Sequence, residues 1–342
     1  GGWDDLRQAR HDRAVALGVL PEPVTMARMP TTEDWGALSP QRQRYEAKRM
    51  AVYAGMIEAM DASIARLVAY LDAQEQLDNT IFIFTSDNGA EGSGAQDQTS
   101  SSARRISAGL GYTSDYETLG LKGSYNSINP GFTSAAVSPL SYYKFYAGEG
   151  GLRVPLIVSG RPAAAARSQT EAFAWATDIA ATILSYAGVD KPDGRFAGRP
   201  VLPITGRDLG PLVRGEAEHV YDESEAVGYE LTGHAALFRG EYKIVRNLAP
   251  LGDGEWRLYN LVQDPGETRD LKTDMPDRFQ AMLADYARFE EENRVMPIPP
   301  GYSQTGQLVT NMIRDQFGSV ILVALLTILL LIPFVVYVRT RG

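Results

Sequence analysis

The most regular hydrophobic pattern in the chain lies near its start. Apolar side chains recur every three or four residues from Met50 to Leu71, which is the spacing of one face of an α-helix. Ser39-Pro40 comes before this stretch and is typical of a helix start, with serine as the N-cap and proline in the first turn. The pattern predicts a long amphipathic helix whose apolar side packs into a core. Residues 1–38 are polar and interrupted by prolines, so we expect them to be irregular.

Two short apolar runs predict strands. Thr80–Thr85 reads as a buried strand, and Leu152–Val158 as a second strand in which Pro155 indicates a sheet edge or a bulge. A helix followed by a continuous apolar strand is typical of an α/β domain with a parallel central sheet. Ser86-Asp87-Asn88-Gly89 follows the first strand directly, and ligand sites in α/β sheets gather at that end of a strand. Residues 89–143 are rich in glycine, serine, asparagine and tyrosine, and their aromatic content favours an ordered active-site loop.

The pattern changes at about residue 195, where short alternating runs separated by turns replace the longer elements. They predict three antiparallel strands, Ala235–Phe238, Tyr242–Val245 and Arg257–Asn260, followed by a helix from Pro276 to Asn293. Asp178–Ala187 also reads as a helix, capped by Asp178. We therefore divide the chain into an α/β domain over 1–195, a smaller α+β subdomain over 196–293 and a proline-containing linker over 294–319.

The last hydrophobic segment differs from the others in length. Residues 320–338 carry no charge, and about 20 apolar residues span a bilayer core, so they predict a transmembrane helix. Arg339 and Arg341 follow at once, and positive charge favours the cytoplasmic side. We expect a single-pass membrane protein with the 339–342 tail in the cytoplasm and the bulk of the chain in the periplasm or outside the cell.

Composition excludes several classes of function. The formal net charge is −9, whereas a nucleic-acid-binding protein needs a basic face for phosphates. The chain has no cysteine and three histidines, His11, His219 and His234, which stand far apart in sequence. A cysteine nucleophile, a disulfide framework and a histidine-based metal site are therefore not expected, and we interpret the histidines as surface or core residues.

Three residues carry candidate chemistry. Asp87 and Asn88 offer a carboxylate and an amide oxygen, which are hard ligands suited to Ca²⁺ or Mg²⁺, although the pair is also common in plain turns. Lys144 lies shortly before Glu149-Gly150-Gly151. A lysine near a cation can neutralise an anionic substrate, although a lone lysine is more often a solvated surface residue.

The combination of three blocks resembles the arylsulfatase family, of the alkaline-phosphatase-like fold. The blocks are IFTSDNGAEG at 83–92, YKFYAGEGGLRVPLIV at 143–158 and WRLYNLVQDPGETRDL at 256–271. The resemblance implies hydrolysis of sulfate esters, with Asp87 and Asn88 as ligands of a divalent cation, usually calcium, and Lys144 as a contact to the sulfate group. It implies that Glu149 and its glycines are architectural, and that Arg153 forms a buried ion pair rather than contacting substrate.

One part of that family's machinery has no counterpart in this sequence. The family's nucleophile is a formylglycine made from Cys or Ser in a Cys/Ser-x-Pro-x-Arg motif, and no such motif occurs here. We interpret the chain as the C-terminal part of a longer sulfatase that is inactive alone. A phosphonate or phosphate monoester hydrolase of the same fold and a membrane-tethered pseudoenzyme that binds a partner remain alternatives. The oligomeric state is left open.

Overall fold

The long helix forms where the sequence predicts it. A computed structural model describes residues 1–20, 22–92, 108–109, 111–160 and 169–304, with scattered positions between 306 and 330. Helix α2 runs Pro40–Ala73, and the Ser39 hydroxyl caps it by accepting a hydrogen bond of 3.3 Å from the Arg42 backbone N–H. Further α-helices with both ends in the described residues are α1 Gly2–Ala16, α3 Pro130–Ala136, α4 Glu149–Leu152, α5 Ala176–Tyr186, α6 Gly210–Val213 and α7 Pro276–Asn293.

The prediction that residues 1–38 are irregular is wrong for their first part, because Gly2–Ala16 forms helix α1. Its sequence has little apolar periodicity, but tertiary contacts hold it in place. Trp3 is buried, with its ring centroid 4.7 Å from that of Trp35 and 5.4 Å from that of Phe132. Arg7, also buried, donates to backbone carbonyls that include Pro139 at 3.2 Å. Packing of this kind overrides weak local propensity.

The two predicted apolar strands pair with each other, but in the antiparallel direction. Strand β1 is Ile81–Thr85 and strand β2 is Leu156–Gly160, with Ile83 opposite Val158. The expected parallel arrangement is therefore wrong for this pair, because an apolar run does not by itself determine strand direction. Strand β2 also begins later than predicted. Residues 149–152 form the turn of helix α4, and Pro155, which lacks a backbone N–H, precedes the first paired residue.

Residues 226–293 form a four-stranded antiparallel sheet covered by one helix, and we call this part of the chain the smaller subdomain. Its strands pair in chain order, and they are β5 Ala226–Leu231, β6 His234–Arg239, β7 Tyr242–Arg246 and β8 Arg257–Asn260. Leu237, Ile244 and Leu258 pack on Met282 and Tyr286 of helix α7. On the opposite face Ala236, Phe238, Val245 and Tyr259 pack around Ala147. The sheet thus lies between helix α7 and residues 141–153, which we call the Lys144 loop. A small hairpin, β3 Arg195–Phe196 with β4 Arg199–Pro200, precedes it.

Much of the apolar stripe of helix α2 lies open to solvent. Met50 and Tyr53 pack on the cluster of Trp3, Ile128, Phe132 and Ala135. Beyond them Ile64, Val68 and Leu71 are half-buried, but Met56, Ile57, Met60 and Leu67 are 45–51% exposed. The expectation that the whole stripe packs into a core is therefore wrong for this chain. Strands β1 and β2 expose apolar side chains as well, namely Phe84, Leu156 and Ile157. No residue of β1 is fully buried, so the prediction of a buried strand there is wrong for this chain.

The chain divides into two units. Gly1–Val295 is the first, which we call the compact unit, and the second begins at Met296. The predicted membrane span at 320–338 lies largely outside the described residues. Among the positions that are described, no helix is both long and apolar enough to cross a membrane.

Candidate active site

The turn after strand β1 presents Asp87 and Asn88 at its end. The Asp87 side chain is exposed and Asn88 is half-buried. The Ser86 hydroxyl donates to the Asn88 carbonyl at 2.8 Å, and the Asn88 side-chain nitrogen donates to the Gly89 carbonyl at 2.9 Å. Because that bond uses the amide nitrogen, the side-chain oxygen of Asn88 is the atom suited to a cation.

The backbone of Gly89 lies directly against the Glu149-Gly150-Gly151 segment. Its backbone N–H donates to the Gly151 carbonyl at 2.9 Å. A Cβ added at Gly89 would lie 1.8 Å from the Gly150 carbonyl oxygen, which is far inside the van der Waals distance. Only glycine fits this approach, and the close approach fixes where Asp87 and Asn88 sit.

Lys144 is hydrogen-bonded to the residues that follow the Asp87-Asn88 turn. Its backbone N–H donates to the Ala90 carbonyl at 3.0 Å. Its ammonium lies 3.5 Å from the Glu91 carboxylate, and both side chains are about one-third exposed. Two backbone hydrogen bonds, from Gly89 and from Lys144, therefore bring the Asp87-Asn88 turn and the Lys144 loop together.

The backbone on both sides of Lys144 is strained. Tyr142 has φ +61° and Phe145 has φ +78°, in the left-handed region that non-glycine residues rarely adopt. Strain of this kind costs about 1–3 kcal/mol per residue and persists where surrounding contacts over-determine it, most often at functional sites.

Asp87 and Asn88 fit a hard divalent cation by chemistry, but only as part of its ligand set. Calcium takes six to eight oxygen ligands, and this turn offers a carboxylate and one amide oxygen. Across the described ranges, no cluster of three or more Asp, Glu or His side chains is arranged to hold a metal. The remaining ligands of such a site would come from elsewhere.

Sequence reasoning missed a buried ionic network beneath the site. The Lys243 ammonium is fully buried and donates to the Glu149 and Glu267 carboxylates at 2.8 Å each. A signal for it exists in the sequence. Lys243 and Val245 stand two apart on strand β7 and so share a face, and that face is the one that packs on the Lys144 loop. A lysine on a buried face needs anionic partners.

The charges in this network shift one another's pKa values. Burial opposes the charge on Lys243, but Glu149 and Glu267 outweigh it and raise the pKa of the ammonium. Burial also disfavours charge on Glu149, yet Lys243 and Arg153 outweigh it and lower the pKa of that carboxyl. Glu267 behaves differently, because burial, reinforced by the charge of Glu149, raises its pKa despite Lys243.

Three further residues that the sequence singled out, Arg153, His234 and Asp178, each form an ion pair or a hydrogen bond. Arg153 pairs with Glu149 at 2.8 Å, which confirms the ion pair, although the Arg153 side chain is 47% exposed rather than buried. His234 is a core residue whose Nδ1 accepts from the Leu248 backbone N–H at 3.2 Å. Asp178 is at the third position of helix α5, not at its N-cap, and it accepts a hydrogen bond of 2.6 Å from the Trp175 backbone N–H.

Comparison with known proteins matches both halves of the compact unit to one group of enzymes. Residues 21–189 match the family profile described as Sulfatase, and residues 141–288 match that described as N-sulphoglucosamine sulphohydrolase, C-terminal. The chain is 32% identical over 304 residues to an uncharacterized sulfatase of Schizosaccharomyces pombe, covering 88% of this chain and 54% of the relative. It is 32% identical over 213 residues to an arylsulfatase of Klebsiella aerogenes, covering 62% and 45%.

A solved structure is similar in fold. The crystal structure of Ps i-CgsB in complex with k-i-k-neocarrahexaose aligns with a TM-score of 0.51 at 18% identity, covering 92% of this chain and 59% of that chain. At this identity the likeness concerns the fold. The chain spans about half the length of the curated relatives it matches.

Proposed function

The chain belongs to the sulfatase family of the alkaline-phosphatase-like superfamily, and from that premise we propose that it forms the C-terminal part of an enzyme that hydrolyses sulfate esters. The observation that carries the proposal is the joining of the Asp87-Asn88 turn to the Lys144 loop. Backbone hydrogen bonds from Gly89 to Gly151 and from Lys144 to Ala90 bring the two segments together. A carboxylate and an amide oxygen that could bind a cation, and a lysine that could bind a sulfate anion, are thereby carried on adjoining segments.

Lys144 is the substrate-binding residue in this proposal. Sulfatases generally use a metal ion and a formylglycine. The cation, Ca²⁺ or Mg²⁺, would lie at Asp87 and Asn88, supplying positive charge beside the sulfate oxygens, and the formylglycine would supply the nucleophile. Lys144 contacts a sulfate oxygen and offsets the negative charge of the sulfate group while the nucleophile attacks sulfur and the alcohol leaves with the electron pair of the ester bond. In the structure Glu91 pairs with the ammonium, and a sulfate group would take over that contact.

The exposed apolar surface supports the proposal that more of the same fold covers this chain. Exposed apolar positions continue along helix α2 and across strands β1 and β2, and large apolar patches on a soluble fold mark surfaces that something else covers. The curated relatives are about twice as long as the aligned part. We propose that the covering sequence carries the formylglycine, which no motif in this chain can supply.

The intact gene product is expected to hydrolyse 4-nitrophenyl sulfate, while residues 1–342 alone show no turnover. The reason is that no nucleophile motif occurs in this sequence, and that the described residues bring together no group of three or more Asp, Glu or His side chains able to hold a metal. Initial rates on 4-nitrophenyl sulfate, phosphate and phenylphosphonate esters would be compared in the presence of Ca²⁺ or Mg²⁺. Faster turnover of the phosphate or phosphonate ester would favour the related hydrolases of this fold, and no turnover of any ester would favour a pseudoenzyme.

We also propose membrane attachment through residues 320–338, on the strength of their sequence pattern. The compact unit would then lie on the periplasmic or extracellular side, with 339–342 in the cytoplasm. The intact protein should remain in the membrane pellet after a carbonate wash, and deletion of 320–342 should release it. Added protease should digest the compact unit in intact cells if it is extracellular, and in spheroplasts if it is periplasmic. A full-length protein found wholly in the supernatant would refute the attachment.

A further inference from the structure

The buried network of Glu149, Lys243 and Glu267 has no part in the chemistry proposed above. We propose that Lys243 and Glu267 are positioning residues, which fix the Lys144 loop and through it the Asp87-Asn88 turn. The inference deepens the proposed function and rests on it. It assigns the smaller subdomain a role in holding the site.

Glu267 accepts hydrogen bonds from two points of the Lys144 loop, Ser141 and Glu149. Its Oε1 accepts a hydrogen bond of 2.8 Å from Lys243. Its Oε2 accepts from the Ser141 hydroxyl at the start of the loop and, at 2.8 Å, from the Glu149 backbone N–H near its end. Both carboxylate oxygens therefore accept from donors, and neither position suits an N–H group.

Lys243 and a neighbouring residue complete the attachment. Lys243 holds the Glu149 side chain at 2.8 Å from the centre of strand β7. Just beyond that strand, the Asn247 side-chain oxygen accepts a hydrogen bond of 2.8 Å from the Ala147 backbone N–H. The loop is thus tied at its start, near its middle and at Glu149 to residues that lie on strand β7 or follow strands β7 and β8. Such ties are what a strained backbone at Tyr142 and Phe145 needs in order to persist.

The same loop carries the site. The Gly151 carbonyl accepts from Gly89, and the Lys144 backbone N–H donates to Ala90. A shift of the loop therefore moves the Lys144 ammonium and the Asp87-Asn88 turn together. Misplacing reacting groups by about 1 Å costs on the order of 10²-fold in rate, so the attachment has a consequence for catalysis.

Charge alone does not explain the network. The two carboxylates are balanced by Lys243 and Arg153, so the group is neutral as a whole and projects little field on a sulfate anion. Its influence on the site is geometric. Lys243 and Glu267 would therefore act by holding the loop in place and not by direct electrostatic interaction with the substrate.

The test compares Glu267→Gln and Lys243→Met with Ile244→Ala in the intact protein. The glutamine in Glu267→Gln would keep the volume of the side chain but put an N–H₂ group against a donor. Ile244 is the next residue of the same strand, is fully buried and faces helix α7 instead of the loop. Ile244→Ala therefore weakens the same sheet from its other face, which makes it the matched control.

We expect Glu267→Gln to lower kcat for 4-nitrophenyl sulfate by about 10–100-fold with a smaller change in KM. Hydrogen exchange at the Gly89 and Lys144 amides should accelerate at least about tenfold. Ile244→Ala should leave kcat within about threefold and should accelerate exchange mainly in strands β6–β8. Measurements are made at low temperature, where circular dichroism shows each variant folded.

Equal kcat losses in Glu267→Gln and Ile244→Ala would overturn the proposal, because they would reduce the network to general stability. If Lys243→Met does not fold, Glu267→Gln carries the test. If the wild-type protein hydrolyses no sulfate ester, the proposed function fails, yet amide exchange still decides the positioning role. Faster exchange confined to Gly89, Lys144 and the loop supports it, and unchanged exchange there refutes it.

Discussion

Replacing Lys144 with alanine is expected to lower kcat/KM of the intact enzyme for a sulfate ester by about 10²–10³-fold. A charged donor aimed at developing negative charge typically contributes that much to a rate. The ammonium is one-third exposed and pairs with Glu91 at 3.5 Å, so its removal should cost the fold little, since exposed ion pairs contribute about 0–1 kcal/mol. The loss should therefore appear in kinetics and not in thermal unfolding.

Lys272 offers a closely matched control for that measurement. It is 35% exposed and pairs with Asp270 at 3.6 Å, so it resembles Lys144 in exposure and pairing but lies in the smaller subdomain. Lys272→Ala should leave kcat/KM within about twofold. Equal activity of Lys144→Ala and wild type would remove Lys144 from the substrate site and leave it as a surface lysine.

Replacing Lys243 with methionine is expected to lower the free energy of unfolding by about 3–5 kcal/mol. Removing one partner of a buried ion pair leaves an uncompensated buried charge, and that cost exceeds the value of the pair itself. Here the remaining Glu149 and Glu267 carboxylates would face each other beside a half-exposed Arg153. Urea unfolding of the intact protein followed by circular dichroism, with Ile244→Ala for comparison, measures the effect.

The unfolding free energy lost in Lys243→Met should increase as pH rises. Burial and the charge of Glu149 raise the pKa of Glu267 in the folded protein, and Lys243 opposes that rise. Without Lys243 the pKa would rise further, so the folded variant would hold a proton that the unfolded chain releases above about pH 4.5. The deficit relative to wild type should grow as pH rises from about 5 to 8. A deficit constant over that range would exclude protonation of Glu267.

Elements with strong local signals could be predicted from the sequence. Ser39-Pro40 marks the start of helix α2, and Pro276–Asn293 has both the periodicity and the bounds observed for helix α7. Helix α1 could not be predicted, because what holds it is the burial of Trp3 and Arg7 against residues more than a hundred positions away. Strand direction in the β1–β2 pair is likewise decided by tertiary pairing that an apolar run does not encode.

The residues of the candidate site also fall into two groups, those that the sequence indicates and those that it does not. Asp87, Asn88 and Lys144 stand in short blocks, so their residue types and neighbours make them visible in sequence. Their assignment as ligands and substrate contact stays a prediction. Lys243 and Glu267 are 94 and 118 residues from Glu149 in the chain, and no local pattern joins them. The alternation on strand β7 indicates a buried lysine but not which carboxylates meet it.

The chain-order pairing of strands β5–β8 has a consequence for the order of folding. Every pairing in that sheet joins neighbours along the chain, so its contact order is low and loop closure costs little entropy. The bond from Gly89 to Gly151 and the contact from Glu149 to Lys243 close far longer loops. The meander should therefore form early, as a template on which the Lys144 loop docks, and the Asp87-Asn88 turn should reach its final position among the last steps.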